Sequence, residues 1–176
     1  PGTEKDFSCD TLVLSVGLIP ENELSLAAGV LLDGRTKGAY VDENYQTNVP
    51  GVFAAGNVLH VHDLVDFVSQ EAEALANGVA AYLKNDGALP ECSLTVETCP
   101  VIGHVIPQKI SGTKDFSLSF RVRRPLGKCA VSVRQGDTVL TTVKLPKAIP
   151  AEMIQFPVPC AQMTPNRNVE VFVDEV

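Results

Sequence analysis

A glycine and an asparagine side by side could hold a polar ligand in the segment VPGVFAAGNV, residues 49–58. Short β-forming residues followed by Ala-Ala-Gly predict a buried strand whose carboxyl end lets a ligand approach the backbone closely. Gly56 has no Cβ to block that approach, and the Asn57 side chain offers both a donor and an acceptor. A long helix is predicted a few residues later, and its free N–H groups and dipole favour a partly anionic ligand. A tight strand-to-helix corner without a ligand explains the same pattern equally well.

The elements that would position these residues belong to a mixed α/β pattern. A near-continuous β-prone run, Thr11–Val16, predicts a strand that is covered on both faces. A short helix is predicted over Glu21–Ala28, with Gly29 as its C-terminal stop. Two short strands, 30–32 and 39–41, flank an Asp-Gly turn and predict a hairpin.

A long helix from Leu64 to Leu83 is the clearest element, because the segment has no proline and its apolar residues recur at helical spacing. The stripe consists of Leu64, Phe67, Val68, Glu71, Leu75, Val79 and Tyr82. Asp63 is the predicted N-cap, because its carboxylate can accept hydrogen bonds from the first free N–H groups. Glu71 and Glu73, with Asp66 upstream, are predicted to lie on the solvated face of the helix.

The second half of the sequence predicts a β domain. The turn-rich segment KNDGALPEC has no periodicity, so we expect a domain boundary there that divides the chain into residues 1–86 and 92–176. Beyond it, apolar and polar residues alternate over 116–122, 130–133, 138–145 and 169–173. This spacing of short strands and turns predicts an antiparallel, immunoglobulin-like β-sandwich of about seven strands.

Composition argues against several classes of function. The chain has 176 residues, of which 45% are hydrophobic, enough to bury a core. Its net charge of −7 works against a nucleic-acid surface, which needs Lys and Arg to neutralise phosphates. No apolar run reaches the ~18 residues of a membrane span, and the N-terminus lacks a secretory pattern, so we expect a soluble, cytoplasmic protein. The five cysteines contain no C-x-x-C pair and are expected to be small buried hydrophobes in a reducing compartment.

The segment from Cys9 to Leu83 resembles the C-terminal part of the FAD module in the FAD/NAD(P)-dependent pyridine nucleotide-disulfide oxidoreductases. The resemblance rests on motifs in the right order: a strand ending in a Gly-x-x-Pro segment, a β-hairpin, the segment TNVPGVFAAGN, and a helix ending in Gly-x-x-Ala-Ala. The stretch GNVLHVHDLVDFVSQEA is especially similar to a bacterial branch of flavin oxidoreductases associated with glycerol-3-phosphate dehydrogenase systems.

This resemblance implies an FAD site around Gly56 and Asn57. The family has an acidic residue at the Asn57 position that hydrogen-bonds the ribityl or phosphate part of FAD, so asparagine keeps a hydrogen bond but removes a charge. The start of the following helix, at Leu64, Val65 and Asp66, would direct N–H groups at the pyrimidine carbonyl of the flavin and tune its redox potential. The resemblance assigns no catalytic residue.

Two family features are absent from the sequence, namely a G-x-G-x-x-G segment and a redox-active cysteine pair. We therefore expect a C-terminal fragment of a longer enzyme, inactive alone, that works with the remainder of the parent chain. The parent would transfer electrons between NAD(P)H and an unidentified acceptor through FAD. The alternative is a non-catalytic binding or assembly module, in which the β-sandwich docks a partner subunit.

Three further groups of polar residues have alternative interpretations. His60, His62 and Asp63 could supply three metal ligands, but without a fourth ligand nearby we expect no metal and favour flavin-site lining or a helix cap. The basic cluster 121–124 could bind an anion, but in an acidic chain we favour a solvated strand end. His104 lies among apolar residues without a carboxylate pair, so we expect no catalytic site in the β domain.

Overall fold

Two helices precede eight strands in the computed structural model, which describes residues 2–14 and 17–175. The helices are α1 (Glu23–Ala27) and α2 (Val65–Lys84), and one turn of 3-10 helix spans Gly56–Val58. The strands are β1 (Leu94–Thr98), β2 (Ile102–Ile106), β3 (Lys109–Ile110), β4 (Phe116–Val122), β5 (Cys129–Gln135), β6 (Thr138–Leu145), β7 (Ile154–Val158) and β8 (Val169–Glu175).

Helix α1 lies within the predicted range and ends at the predicted glycine. Gly29 has a φ of +80°, a conformation that glycine adopts without steric cost. Its N–H donates to the Leu26 carbonyl at 3.0 Å, and the N–H of Val30 donates to the Ser25 carbonyl at 2.9 Å. These two bonds satisfy carbonyl groups that the end of a helix leaves free.

The hairpin predicted over residues 30–41 is present in a reduced form. Leu32 and Ala39 make an isolated antiparallel bridge instead of two full strands. Gly38 lies so close to the carbonyl of Leu59 that a Cβ at this position would collide with it. The hairpin is therefore fixed against the segment that leads to α2, and glycine makes that close packing possible.

Two strands predicted in the first half are not formed. In segment 49–57 only Phe53 pairs, through one bridge to Gln46. Residues 11–14 form no strand and their apolar side chains are exposed, while residues 15 and 16 lie outside the described part of the chain. An apolar run indicates a tendency to be buried, but a strand also needs a neighbour to bond its backbone, and no described strand pairs with either segment.

Helix α2 agrees with its predicted bounds to within one residue. Its N-cap is Leu64, which makes no side-chain capping bond, so the prediction of Asp63 as the cap is wrong. Only Glu71 and Gly78 are fully buried in the helix, and a Cβ on Gly78 would collide with the carbonyl of Asn44.

Neither helix of the described residues has both the length and the apolar character that crossing a bilayer requires.

The strands form two sheets, as a sandwich requires. The five-stranded sheet has the order β3-β1-β8-β5-β6 and the three-stranded sheet the order β2-β4-β7. Strands β4 and β6 coincide with predicted runs, whereas the parallel pairing of β1 with β8 departs from the antiparallel prediction. The immunoglobulin-like arrangement stays a prediction. Both sheets contribute to one buried core, which includes Leu118, Phe120, Val131, Val133 and Val169.

The two parts of the chain are in direct contact. The side-chain oxygen of Gln108 accepts from the N–H of Val41 at 2.9 Å, and the backbone N–H of Gln108 donates to the Val41 carbonyl at 3.1 Å. Nearby, the hydroxyl of Ser111 donates to Glu43 at 2.6 Å. Ile106 of β2 packs in the small apolar core of the first half. The division at residues 86–92 stays a prediction, and the structure adds an extensive junction between the parts.

The five cysteines are free thiols in different surroundings. Cys129 is buried as predicted, but Cys9 is exposed and the other three cysteines are half-buried. Burial, together with the negative charges of Asp42 and Glu43, raises the pKa of the Cys92 thiol to about 12. Cys92 is therefore a poor nucleophile at neutral pH.

Candidate functional site

Gly56 and Asn57 form the turn that leads towards α2. Gly56 has a φ of +75°, and its N–H donates to Oε1 of Glu71 at 2.5 Å. The nearest atom to a Cβ at this position would be Cγ1 of Val68 at 3.8 Å, which is ordinary contact. The backbone conformation, rather than crowding by the chain itself, therefore requires glycine here.

The side chain of Asn57 closes the turn towards His62. Its Oδ1 accepts a hydrogen bond from the backbone N–H of His62 at 3.1 Å and lies 3.3 Å from Nδ1 of the ring. Asn57 is nevertheless exposed. Its amide is thus held in place by the protein and is also accessible to a ligand.

The beginning of α2 is exposed and has no side-chain cap. Leu64 is 54% exposed and Val65 is 77% exposed, and Asp66 is also exposed. The first N–H groups of a helix have no partner within it, and they carry the positive end of its dipole. The sequence-predicted residues 64–66 therefore lie at a helix end that can donate hydrogen bonds to a ligand.

Asp63 bonds to the β half instead of capping the helix. Its carboxylate pairs with Arg121 at 2.9 Å and accepts from the N–H of Met153 at 3.3 Å. Arg121 also donates to the carbonyl groups of Val61 at 3.0 Å and Ala151 at 2.5 Å. The prediction of a solvated strand end is wrong for Arg121, because these acceptors surround its guanidinium group and its side chain is only 15% exposed.

All three histidines of the chain lie together, which the sequence reasoning missed. Nε2 of His60 and Nε2 of His62 lie 2.7 Å and 3.4 Å from the same atom, Oε2 of Glu71. The side chains of His60, His62 and Glu71 are only 2–3% exposed. The ring of His104, on β2, lies 5.6 Å from the ring of His60 between centroids. The prediction that Glu71 lies on the solvated face of α2 is wrong, and its position in the apolar stripe is the signal of burial.

Glu71 keeps a negative charge in this buried position. Burial alone raises the pKa of its carboxyl group, but several favourable contacts outweigh burial and lower the pKa to about 2. These contacts are hydrogen bonds from His60 and His62, the charge of His60, and the N–H of Gly56. Two imidazoles around one carboxylate can share a proton or hold a cation between them.

His104 adds a neutral imidazole to the cluster. Burial, together with the positive charges of His60 and Arg121, lowers its pKa to about 4. Nε2 of His104 and Nδ1 of His60 are both buried without a hydrogen-bond partner among the described residues. The surroundings of His104 thus include ionisable groups, not only the apolar residues that were predicted.

A groove of about 470 Å³ opens beside the histidines, at the junction of the two halves. Its polar lining includes His60, His62, His104, Arg35, Lys37 and Arg121. Because Asp63 already neutralises Arg121, the additional positive charge comes from Arg35 and Lys37. These basic side chains favour an anionic group in a ligand, while Leu18, Ile19 and Pro150 line the groove with apolar surface.

Comparisons with known proteins find similarity in the region that contains this site. Residues 1–80 match the family model of the pyridine nucleotide-disulphide oxidoreductases. The small chain of NADPH glutamate synthase from Bacillus subtilis is 34% identical over 92 residues, which cover 51% of this chain and 18% of that protein. Mitochondrial dihydrolipoyl dehydrogenase from Caenorhabditis elegans is 34% identical over 80 residues, which cover 45% and 16% of the two chains. No solved structure matches the chain.

A third relative, dihydrolipoyl dehydrogenase from Manduca sexta, is 30% identical over 108 residues, which cover 59% of this chain and 21% of that protein. The chain thus spans only 16–21% of the length of these three relatives. The first half of the chain is therefore similar to the pyridine nucleotide-disulphide oxidoreductases. The association with glycerol-3-phosphate dehydrogenase systems stays a prediction.

Proposed function

We propose that residues 1–86 are the C-terminal part of an FAD-binding domain in a longer oxidoreductase, which transfers electrons between NAD(P)H and an acceptor. The observation that carries this proposal is the exposed, uncapped start of α2 beside the Gly56–Asn57 turn, within the segment that matches the family. FAD would supply the hydride and electron chemistry that amino-acid side chains lack. The protein would supply binding, orientation and electrostatics.

We expect the chain to contact a flavin nucleotide at two points. The exposed amide of Asn57, next to the left-handed turn at Gly56, would hold the ribityl or phosphate part by hydrogen bonds. The N–H groups at Leu64, Val65 and Asp66 would donate to the carbonyl of the pyrimidine ring. Because the dipole of α2 favours negative charge at this end, the helix would also tune the reduction potential of the bound ring.

A large exposed apolar surface supports a partner for the first half. In the described residues, the β half has one exposed large hydrophobic side chain, Val139, whereas the first half has many. They include Phe7, Leu12, Val13, Leu14, Leu18, Ile19, Leu64 and Val65. Large exposed apolar surfaces usually mark interaction sites. We assign this surface to the remainder of the parent flavoprotein, whose glycine-rich βαβ unit would complete the FAD site.

The proposal is tested on the protein expressed together with the coding sequence upstream of Pro1. We expect stoichiometric flavin in its visible absorption spectrum. Asn57→Leu should weaken FAD binding by about 1–3 kcal/mol, because it leaves polar groups of the ligand without a partner. Asn57→Asp is the matched control, and it should retain FAD because the related enzymes carry an acid at this position.

Two results would contradict the proposal. Absence of flavin from the longer protein would exclude the cofactor role of the first half. Equal FAD affinity of the Asn57→Leu variant would show that Asn57 only closes the turn with His62, and that the ligand contact is assigned to the wrong residue.

A non-catalytic assembly module is the second candidate, because the exposed apolar surface needs a partner whether or not flavin binds. Strand β6 also lies at an edge of the five-stranded sheet, where Val139 is 52% exposed. An edge strand can accept a strand of another subunit by backbone hydrogen bonding. A longer protein that forms a stable complex but contains no flavin would favour this candidate over the oxidoreductase.

A further inference from the structure

His60, His62 and Glu71 bring three metal-ligating side chains to one point. One possible ligand atom from each residue lies within 4.8 Å of the other two, and Nε2 of each histidine faces Oε2 of Glu71. Two elements supply them, since both histidines lie in the segment before α2 and Glu71 lies within the helix. The cluster lies against the Gly56–Asn57 turn, which bonds to Glu71 and His62, and its side chains are almost completely buried.

The carboxylate of Glu71 is already oriented for a ligand role. Its Oε1 accepts the N–H of Gly56 at 2.5 Å, whereas both imidazoles face Oε2. In many metal sites the carboxylate oxygen that does not bind the metal accepts a hydrogen bond from the protein. This bond holds the metal-binding oxygen in position. The turn at Gly56 therefore fixes the geometry of the cluster as well as its own backbone.

The distances suit a small divalent ion after a modest adjustment. The bonds from zinc to nitrogen and oxygen are about 2.0–2.1 Å long. In a tetrahedral arrangement, two ligand atoms are therefore about 3.3 Å apart. The 3.4 Å separation of His62 Nε2 and Glu71 Oε2 already matches this value. The 2.7 Å separation at His60 is that of a hydrogen bond, and it would lengthen by roughly 0.6 Å when a metal ion replaces the shared proton.

We propose that His60, His62 and Glu71 bind one divalent transition-metal ion of the zinc class, with its fourth position open to the adjacent groove. Two neutral imidazoles and one carboxylate are borderline ligands, which suit Zn²⁺ better than Mg²⁺ or Ca²⁺. Three protein ligands with one exchangeable position are typical of catalytic rather than structural zinc sites. His104 lies beside His60, and its buried Nε2 has no hydrogen-bond partner among the described residues.

The test uses the 176-residue chain after treatment with a chelator. Zn²⁺ is titrated by calorimetry, and Co²⁺ serves as a spectroscopic substitute whose visible absorption reports the ligands. We expect one equivalent of metal, a Co²⁺ spectrum of nitrogen and oxygen ligation, and a loss of affinity of at least 10-fold in His62→Gln and in Glu71→Gln. Glu73→Gln is the matched control, because Glu73 is an exposed acid on the same helix two residues away and should leave affinity unchanged.

Three results would overturn the proposal: no stoichiometric binding, equal affinity in His62→Gln, or a strong thiolate-to-cobalt charge-transfer band. The last would show that the free cysteines, not the histidine cluster, bind the metal. If Glu71→Gln does not fold by circular dichroism, His62→Gln decides the question, since it removes a ligand from the chain segment outside α2. Because no step of this test involves FAD, its failure leaves the flavoprotein proposal intact.

Discussion

A single buried imidazole makes the stability of this protein sensitive to mild acid. His104 has a pKa of about 4 in the folded chain because burial and the charges of His60 and Arg121 oppose its protonation. In an unfolded chain a histidine titrates near 6.5. Between these two values the unfolded state binds a proton that the folded state does not, so stability falls as the pH falls through this window.

The first prediction is that His104→Gln reduces this loss of stability. On going from about pH 7 to about pH 5, the wild-type protein should lose on the order of 2 kcal/mol of unfolding free energy through His104. In the variant, the loss of unfolding free energy over the same pH range should be smaller by about this amount, whatever the stability of the variant at neutral pH. Urea unfolding of both proteins at the two pH values measures the difference. Equal pH dependence would show that His104 is not protonated differently in the folded and unfolded states.

The carboxylate of Glu71 responds in a different pH range. Its pKa is lowered from 4.5 to about 2, so the stability that its ionised form contributes is lost only as the pH falls below about 4.5.

The burial of Glu71 could have been predicted from the sequence, because the residue occupies the apolar stripe of α2 between Val68 and Leu75. A carboxylate in such a stripe needs a partner, and the two histidines that precede α2 provide it.

The segment between the 3-10 helix and α2 is held by a strand of the other half. Arg121 of β4 binds Asp63 and the carbonyl of Val61, and it also binds the carbonyl of Ala151 after β6. One guanidinium group therefore joins three parts of the chain beside the histidine cluster. Because this head group is largely buried, its bonds contribute more than those of a surface pair.

The second prediction concerns this junction. Arg121→Gln should lower the unfolding free energy by about 2–4 kcal/mol, because it leaves Asp63 and backbone carbonyl groups without their donor. Arg124→Gln is the control three residues further on, where the arginine pairs with Glu175 at an exposed position, and it should leave the unfolding free energy almost unchanged. Denaturant unfolding of both variants tests the contrast. Similar losses would mean that Arg121 contributes no more than a surface ion pair.

Elements could be predicted where their pattern is local. The alternation of apolar and polar residues located β4 and β6, and helical spacing located α2 to within one residue. The same local reasoning predicted a strand in the first half that is not formed. The apolar run at 11–14 would need a neighbouring strand, and no described strand pairs with it. Asp63 failed as a cap for a similar reason: its partner Arg121 lies 58 residues away in the sequence. Contacts of this length leave no trace in local spacing.

The chain combines a well-packed half with an incompletely covered one. The β half has one large apolar core, whereas the first half has a small core that borrows Ile106 from β2. Exposed large hydrophobic side chains lie almost entirely in the first half of the described chain. The flavoprotein proposal explains this asymmetry, because an FAD-binding domain packs the segment around Gly56 and α2 against its glycine-rich βαβ unit.

This asymmetry leads to the last prediction, that the 176-residue chain by itself retains little FAD. The sequence contains no G-x-G-x-x-G segment, and in the related enzymes that segment makes the main contacts to the pyrophosphate. The remaining contacts at Asn57 and the start of α2 would hold the nucleotide only weakly. Equilibrium dialysis of the purified chain against FAD measures this directly, with the protein that includes its upstream sequence as the comparison. Retention of one equivalent of flavin by the 176-residue chain would contradict the prediction, because it would show that these residues suffice to form a complete cofactor site.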